Sequence, residues 1–203
     1  MGDGFIQPKA EPKGIMITQE GVRGFGKYLT EMIEETQQLI YDEAGHEFNI
    51  SSPKQLGVVL FEEMGLPAKK KTKSGYSTNA EVLEELRNFC PLVDNVLKYR
   101  QYTKLNSTYV TGLLEKVAED GRIHTSFKQT ETRTGRISST EPNLQNIPVR
   151  TELGAEMRKF FVADEGKVLI DADYSQIELR VMAHLCGDEN MISAFTSGED
   201  IHT

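Results

Sequence analysis

The sequence predicts an α+β fold, a helical region followed by antiparallel strands and further helices. Two observations carry this. Over roughly the first 110 residues, apolar positions recur at helical spacing between Gly and Pro stops. Within residues 167–180, KVLIDADYSQIELR, the period then changes, from the β-forming run Val168, Leu169, Ile170 to Ile177, Val181 and Leu185 at helical spacing.

Taken in order, Val22, Phe25, Leu29, Met32, Ile33, Thr36 and Ile40 mark a long amphipathic helix over 20–44, closed by Gly45. Ser52 followed by Pro53 opens a second helix running through Met64 to a stop at Gly65. Thr78 with Glu81 has capping-box spacing for a third, through Phe89, and Pro91 begins a fourth that reaches about Leu114. The loop between the second and third carries Lys69, Lys70, Lys71 and Lys73, and is expected to be the exposed tip of a helical arm. Arg100 and Lys104, four apart, share a face of the fourth helix, a like-charge pair that an anion between them would turn favourable. Snorkelling cations on a helix surface are the plain alternative.

Asp120-Gly121 reads as a turn joining residues 113–117 to a strand over 123–128. Residues 134–148 are rich in Gly, Ser, Asn, Gln and Pro and are expected to be irregular. Phe160–Ala163 and Lys167–Ala172 read as a hairpin across Asp164-Glu165-Gly166, which places Asp173 at a strand end. Ser175 and Glu178 again have capping-box spacing, a structural explanation for both.

At 203 residues the chain is long enough for one domain or two small ones, with a sizeable core. Hydrophobic and charged shares of 38% and 27% are globular values. No 18-residue apolar run and no leader are present, so neither a membrane span nor secretion is expected, and the location expected is cytoplasmic. Cys90 and Cys186 stand alone, without the spacing of a zinc site. The net charge of −8 is unevenly spread. From Leu66 to Lys104 there are eight Lys/Arg against four Asp/Glu, whereas from Glu152 to Thr203 eleven acids face four bases. A basic segment suits a phosphate backbone, and an acidic one repels it unless divalent cations intervene. Solvated helix faces are the ordinary alternative.

Asp173 is the candidate metal ligand, because Mg²⁺ takes one or two carboxylates and leaves the rest of its octahedron to water and substrate phosphates. In a strand, Asp171 would share its face.

The wording around Asp173 narrows the reading. DYSQIELR at 173–180, TGRISSTEPNLQNIP at 134–148 and GEDIHT at 198–203 together resemble the family A DNA polymerases, the group of bacterial DNA polymerase I. FNISSPKQLG at 48–57, KKTKSGYST at 70–78 and YRQYTKLNSTYV at 99–110 are similar to the thumb of that family, so the likeness runs from about residue 14 to the end. It implies a helical thumb arm over 14–112, part of a palm with an antiparallel sheet over 113–203, and a short amino-terminal segment over 1–13. The family's fingers helix and second metal-binding aspartate have no counterpart here, so the expectation is a polymerase portion, inactive alone.

The resemblance implies partners and roles residue by residue. Primer-template DNA and deoxynucleoside triphosphates are the partners, with replication and repair as the setting and a monomeric parent. Asp173 would bind two Mg²⁺ ions of the complete polymerase, with the Tyr174 carbonyl on one of them. Ser175, Gln176, Ile177, Glu178, Arg150 and His202 would line the nucleotide, with Glu178 beneath the sugar to exclude a 2′-hydroxyl. Lys69, Lys70, Lys71, Lys73, Arg100, Lys104, Ser107 and Thr108 would lie along the DNA backbone, and Arg136, Asn143, Gln145 and Asn146 along primer and template. Two other classes compete. A non-catalytic DNA-binding module needs only the basic arm, and a metal-dependent phosphohydrolase needs acids clustered from several strands.

Overall fold

The fold is given by a computed structural model that describes residues 13–68, 71–72, 75–148 and 151–197. The chain divides into two compact units, one through Glu165 and one from Gly166.

The first unit begins with strand β1, Ile15–Ile17, and helix α1, Gln19–Ala44. As the periodicity predicts, α1 ends at Gly45, whose left-handed backbone (φ 77°) lets its N–H donate to the Tyr41 carbonyl. Helix α2, Pro53–Val58, is capped by Ser52, whose hydroxyl accepts from the Gln55 N–H at 3.4 Å. It continues in a π-wound turn over Val59–Glu63. Two short strands follow, β2 (Lys71–Thr72) and β3 (Gly75–Tyr76), paired antiparallel, so part of the lysine-rich loop is a ladder. Helix α3 spans Ala80–Leu86, and its cap corrects the sequence reading. Asn79, not Thr78, accepts the Val82 N–H, at 3.0 Å. Thr78 is buried and serves Arg100 instead.

Helix α4, Pro91–Lys104, runs into a π-wound segment, Leu105–Thr111, and a last α-helical turn, α5, Gly112–Leu114. This line of chain lies antiparallel to α1, as the cores show. Ile40 near the end of α1 shares a core with Leu92, Val93 and Val96 at the start of α4. Val22 and Leu29 share a second core with Leu105, Tyr109 and Val110. One pair of helices therefore serves two cores. At Gly26 the packing against the π-wound continuation is tight, since a Cβ there would lie 2.7 Å from Val110 Cγ1. Across the same seam the Asn106 amide donates to Thr30 Oγ1 at 3.3 Å, and that hydroxyl donates to the Gly26 carbonyl at 2.9 Å.

The strands follow. β4 (Arg122–Ile123) pairs with β1, Ile15 opposite Ile123, after the expected turn, in which Asp120 Oδ1 accepts the Arg122 N–H at 3.0 Å. β5 (Ser126–Lys128) pairs with β6 (Ser138–Thr140), so the segment over 134–148 expected to be irregular contains a strand. Helix α6, Glu152–Arg158, is capped by Thr151, which accepts the Gly154 N–H at 3.1 Å. Strand β7, Phe161–Val162, pairs with β1, giving a sheet of order β4-β1-β7. Here the expected hairpin is overturned. Phe161 and Val162 meet Ile17 and Met16, not residues 167–172, and residues 167–174 carry no strand. Asp164, at the bend, is held by Arg122. An apolar run cannot make a strand without a partner for its backbone groups, and Val168 and Ile170 are 78% and 86% exposed.

The second unit holds helix α7, Ile177–Cys186, at the spacing the sequence predicts, and helix α8, Glu189–Ser197. Gly187, again left-handed (φ 66°), closes α7. No helix among the described residues is long and apolar enough to cross a membrane.

Two predictions test this packing. Gly26→Ala forces its methyl against the stiff Val110 side chain and is expected to cost about 1–3 kcal/mol in denaturant unfolding. Adding Val110→Ala should return part of that loss. The second concerns His46, just past the α1 cap. Its Nε2 lies 2.8 Å from Glu63 Oε2 and its Nδ1 lies 3.1 Å from the Glu47 carbonyl, so both ring nitrogens face acceptors and the imidazolium is favoured. The hydrogen bond to Glu63, then that to Glu47, raises the His46 pKa above 6.5. A raised folded value contributes stability that is complete below about pH 6.5 and is lost as pH rises through the folded value. The unfolding midpoint of the unaltered chain is expected to fall over that rise by more than that of His46→Gln.

Candidate nucleic-acid interface

Four of the polar candidates of the first unit line one cleft. A cavity of about 490 Å³ lies between α4 with its π-wound continuation and the turn over 142–146. Lys104, Thr108, Asn143 and Asn146, all expected on the DNA, line it, together with Gly112 and Lys116. Local chemistry builds each wall. On the helix side, Tyr109 is buried and its hydroxyl donates to the Asn146 carbonyl, clamping the turn to the helix. On the turn side, the buried Thr125 hydroxyl lies 2.6 Å from Ser139 Oγ and reaches the Pro142 carbonyl at 2.8 Å. Ser139 Oγ in turn accepts the Leu144 N–H at 3.1 Å. Buried hydroxyls with this many partners fix a turn that has no regular structure of its own.

Other expected contacts are spent partly on the fold. Gln145 accepts the Ser139 N–H at 3.1 Å and donates to the Ile137 carbonyl at 2.8 Å, so its amide braces the turn against β6. Asn143 Oδ1 accepts the Gln145 N–H at 2.9 Å, the turn-building role expected of Asn, and the residue also lines the cavity. Ser107 donates to the Thr103 carbonyl at 2.8 Å, back onto its own helix. Arg100 is half-buried and gives two of its five donors to the Thr78 carbonyl and hydroxyl. Burial pulls its pKa below the ordinary guanidinium value, although a guanidinium keeps its charge. Arg100 and Lys104 therefore do different work despite their shared spacing. Arg136 is exposed in the bend before β6. The backbone of Lys71 pairs with Tyr76. Lys69, Lys70, Lys73, Arg150 and His202 lie outside the described residues.

In the second unit, Asp173, Tyr174 and Ser175 are exposed in the segment before α7. The Ser175 to Glu178 capping box is not formed. Gln176 occupies the cap position with φ 52° and makes no side-chain capping bond, because the chain enters the helix through a left-handed residue. The Ser175 carbonyl instead accepts Arg180 Nε at 2.9 Å, and the Arg180 guanidinium stacks on the Phe195 ring at 4.5 Å, tying α7 to α8. Ile177 and Glu178 open α7, both exposed.

The donor chemistry of Asp173 and the Tyr174 carbonyl is the hard oxygen that Mg²⁺ takes. Among the described residues, however, no three His, Cys, Asp or Glu side chains gather around a metal position, so these do not make up a two-ion site. Asp171 does not join Asp173 across a strand face, since that strand is absent.

Lys116 and Tyr109 were not singled out by sequence. The available signal was the recurrence of Lys104, Thr108, Gly112 and Lys116 at four-residue intervals.

A family model described as DNA polymerase family A matches residues 19–203. DNA polymerase I of Lactococcus lactis subsp. lactis (strain IL1403) is 53% identical over 198 residues, which is 98% of this chain and 23% of that protein. DNA polymerase I of Bacillus subtilis (strain 168) is 52% identical over 201 residues, with the same coverage of each. The polymerase domain of Pol1 from M. smegmatis, solved in complex with DNA primer-template and dNTP, matches with a TM-score of 0.84 at 46% identity, over 94% of this chain and 34% of that one. The chain thus spans about a quarter of the length of the curated relatives it matches. With a family model covering nearly all of the sequence, and relatives at this identity over the same stretch, the chain belongs to DNA polymerase family A.

Proposed function

We propose that this chain is a portion of a DNA-directed DNA polymerase, contributing a thumb-like region over 14–112 and part of a palm over 113–203, with residues 1–13 as a preceding segment. The reaction is template-directed transfer of a deoxynucleotide to a primer 3′-hydroxyl. The observation that carries the reading is the family match along residues 19–203. The cleft supports it, because it gathers two cations and two amides from separate segments onto one surface. Such groups bind phosphate and sugar acceptors present at every step of a duplex, so the grip is independent of sequence.

In this reading Lys104, Ser107, Thr108 and Arg100 lie along the DNA backbone with Lys69, Lys70, Lys71 and Lys73 of the arm. Arg136, Asn143, Gln145 and Asn146 face primer and template. Asp173 and the Tyr174 carbonyl are this chain's contribution to Mg²⁺ binding, where the cations, when bound, stabilise charge on the transferring phosphoryl group. Ser175, Gln176, Ile177, Glu178, Arg150 and His202 form one side of the nucleotide site, with Glu178 beneath the sugar. A second reading, a DNA-binding module without catalysis when isolated, is favoured by the lone carboxylate. Positioning supplies most of the rate in phosphoryl transfer, and one incomplete metal site cannot supply it.

Fluorescence anisotropy with a duplex tests both readings. Three to five phosphate contacts predict a log-log salt slope of about −3 to −4, without sequence preference and without extension of the primer. No binding at low salt, or a flat slope, removes the arm and cleft from the DNA.

The sugar role is tested in the complete polymerase. Glu178→Ala should raise ribonucleotide over deoxynucleotide incorporation, whereas Asp173→Ala should abolish both. The readout is the ratio of the two kcat/KM values, which a steric change moves directly. An unaltered ratio with a lowered Tm would leave Glu178 a purely structural residue.

A further inference from the structure

We propose that Lys116 pairs with Lys104 to form a two-cation site for a run of phosphodiesters along the cleft, an inference that rests on the nucleic-acid reading above. Both lysines line the cavity, and no acid does. Among the described residues neither ammonium has an ion-pair partner, whereas Lys98 and Lys159 are paired with Asp94 and Glu156. Two cations without an acidic partner on one concave wall raise the local potential for anions. The donors beside them are available too. The Asn143 NH₂ group, the Asn146 side chain and the Thr108 hydroxyl make no hydrogen bond among the described residues.

The spacing selects a chain of phosphates over a single one. Lys104, Thr108 and Gly112 succeed one another along the helix at intervals of four, and Lys116 follows in the turn two residues past Leu114. The helix from Lys104 to Leu114 extends on the order of 12–15 Å, several times the 3.4 Å step between phosphates of one strand along a duplex axis. Winding matters as much as length. At 3.6 residues per turn, positions four apart drift around the helix, but a segment bonded i to i+5 turns more slowly and keeps them aligned. Leu105–Thr111 is such a segment and lies between the two lysines. Gly112 leaves the middle of the wall without a side chain, open to close approach of a backbone.

The experiment is duplex anisotropy across salt with the 203-residue chain and three variants, Lys116→Gln, Lys116→Arg and Lys27→Gln, the last an exposed lysine of α1 away from the cleft lining. Loss of one phosphate contact should make the slope shallower by about 0.9 for Lys116→Gln, with weaker binding. Lys116→Arg should keep the slope, and Lys27→Gln should leave it as in the unaltered chain. A second arm titrates inorganic pyrophosphate and follows the Asn143 and Asn146 amide signals by NMR. Expected is no saturable shift that depends on Lys116. If Lys116→Gln matches Lys27→Gln on duplex, or if only pyrophosphate binding depends on Lys116, the phosphodiester site is overturned while the wider reading stands. If the unaltered chain fails to bind duplex at low salt, both fall.

Discussion

The first unit depends on one contact line, the antiparallel packing of α1 against α4 and its π-wound continuation. Each helix donates residues to both cores, Ile40 and Leu92 to one, Leu29 and Tyr109 to the other. In proteins most helical stability comes from tertiary packing of an apolar face, so the apolar seam is what makes these helices persist. Because the seam is closed at Gly26, the lateral position of the π-wound segment is set to within a methyl group. That segment carries the helical wall of the cleft. A structural constraint inside the core thus decides where Lys104 and Thr108 stand.

The opposite wall has no comparable helix, and it is held by polar bonds instead. Residues 141–146 are pinned from beneath by Thr125 and Ser139 and from the side by Tyr109. A buried hydroxyl network is costly if any member loses its partner, so the turn tolerates little internal change. The two walls are fixed by different physics, one by apolar packing and the other by hydrogen-bond satisfaction. Between them, the Asn143 NH₂ group and the Asn146 side chain make no hydrogen bond among the described residues.

The helices were legible in the sequence because the apolar period and its glycine stops are local. Gly45 and Ser52 act within their own turns, and they ended and began helices where composition placed them. The Thr78 cap failed for a non-local reason, since a buried arginine 22 residues on competes for its oxygen atoms. Strand partners are non-local as well. Nothing in the run FFVADEGKVLI says that its first half will pair with Ile17, at the start of the chain, in place of its second half. Lys116 was missed as well. It stands two residues past the end expected for the fourth helix, about Leu114, so spacing along that helix was not extended to it, and a π-wound stretch leaves no mark in composition.

The second unit reverses the balance between local order and packing. Helix α7 forms where the period predicts and is ended by Gly187, and Arg180 over Phe195 holds it to α8, a helix the sequence reading did not include. Yet its large apolar side chains are mostly outside. Val181, Met182 and Leu185 on α7 are exposed, as are Leu169 and Ile170 before it. Exposed apolar groups in such a concentration mark a surface that gains by being covered. The charges of the same stretch lean strongly acidic, which opposes a polyanion unless cations neutralise them. Asp173 sits between those two properties, at the end of an apolar run and on acidic ground. In the Mg²⁺ role proposed for Asp173 the cation would offset those carboxylates, and local sequence alone supplies neither that cation nor a cover for the apolar face.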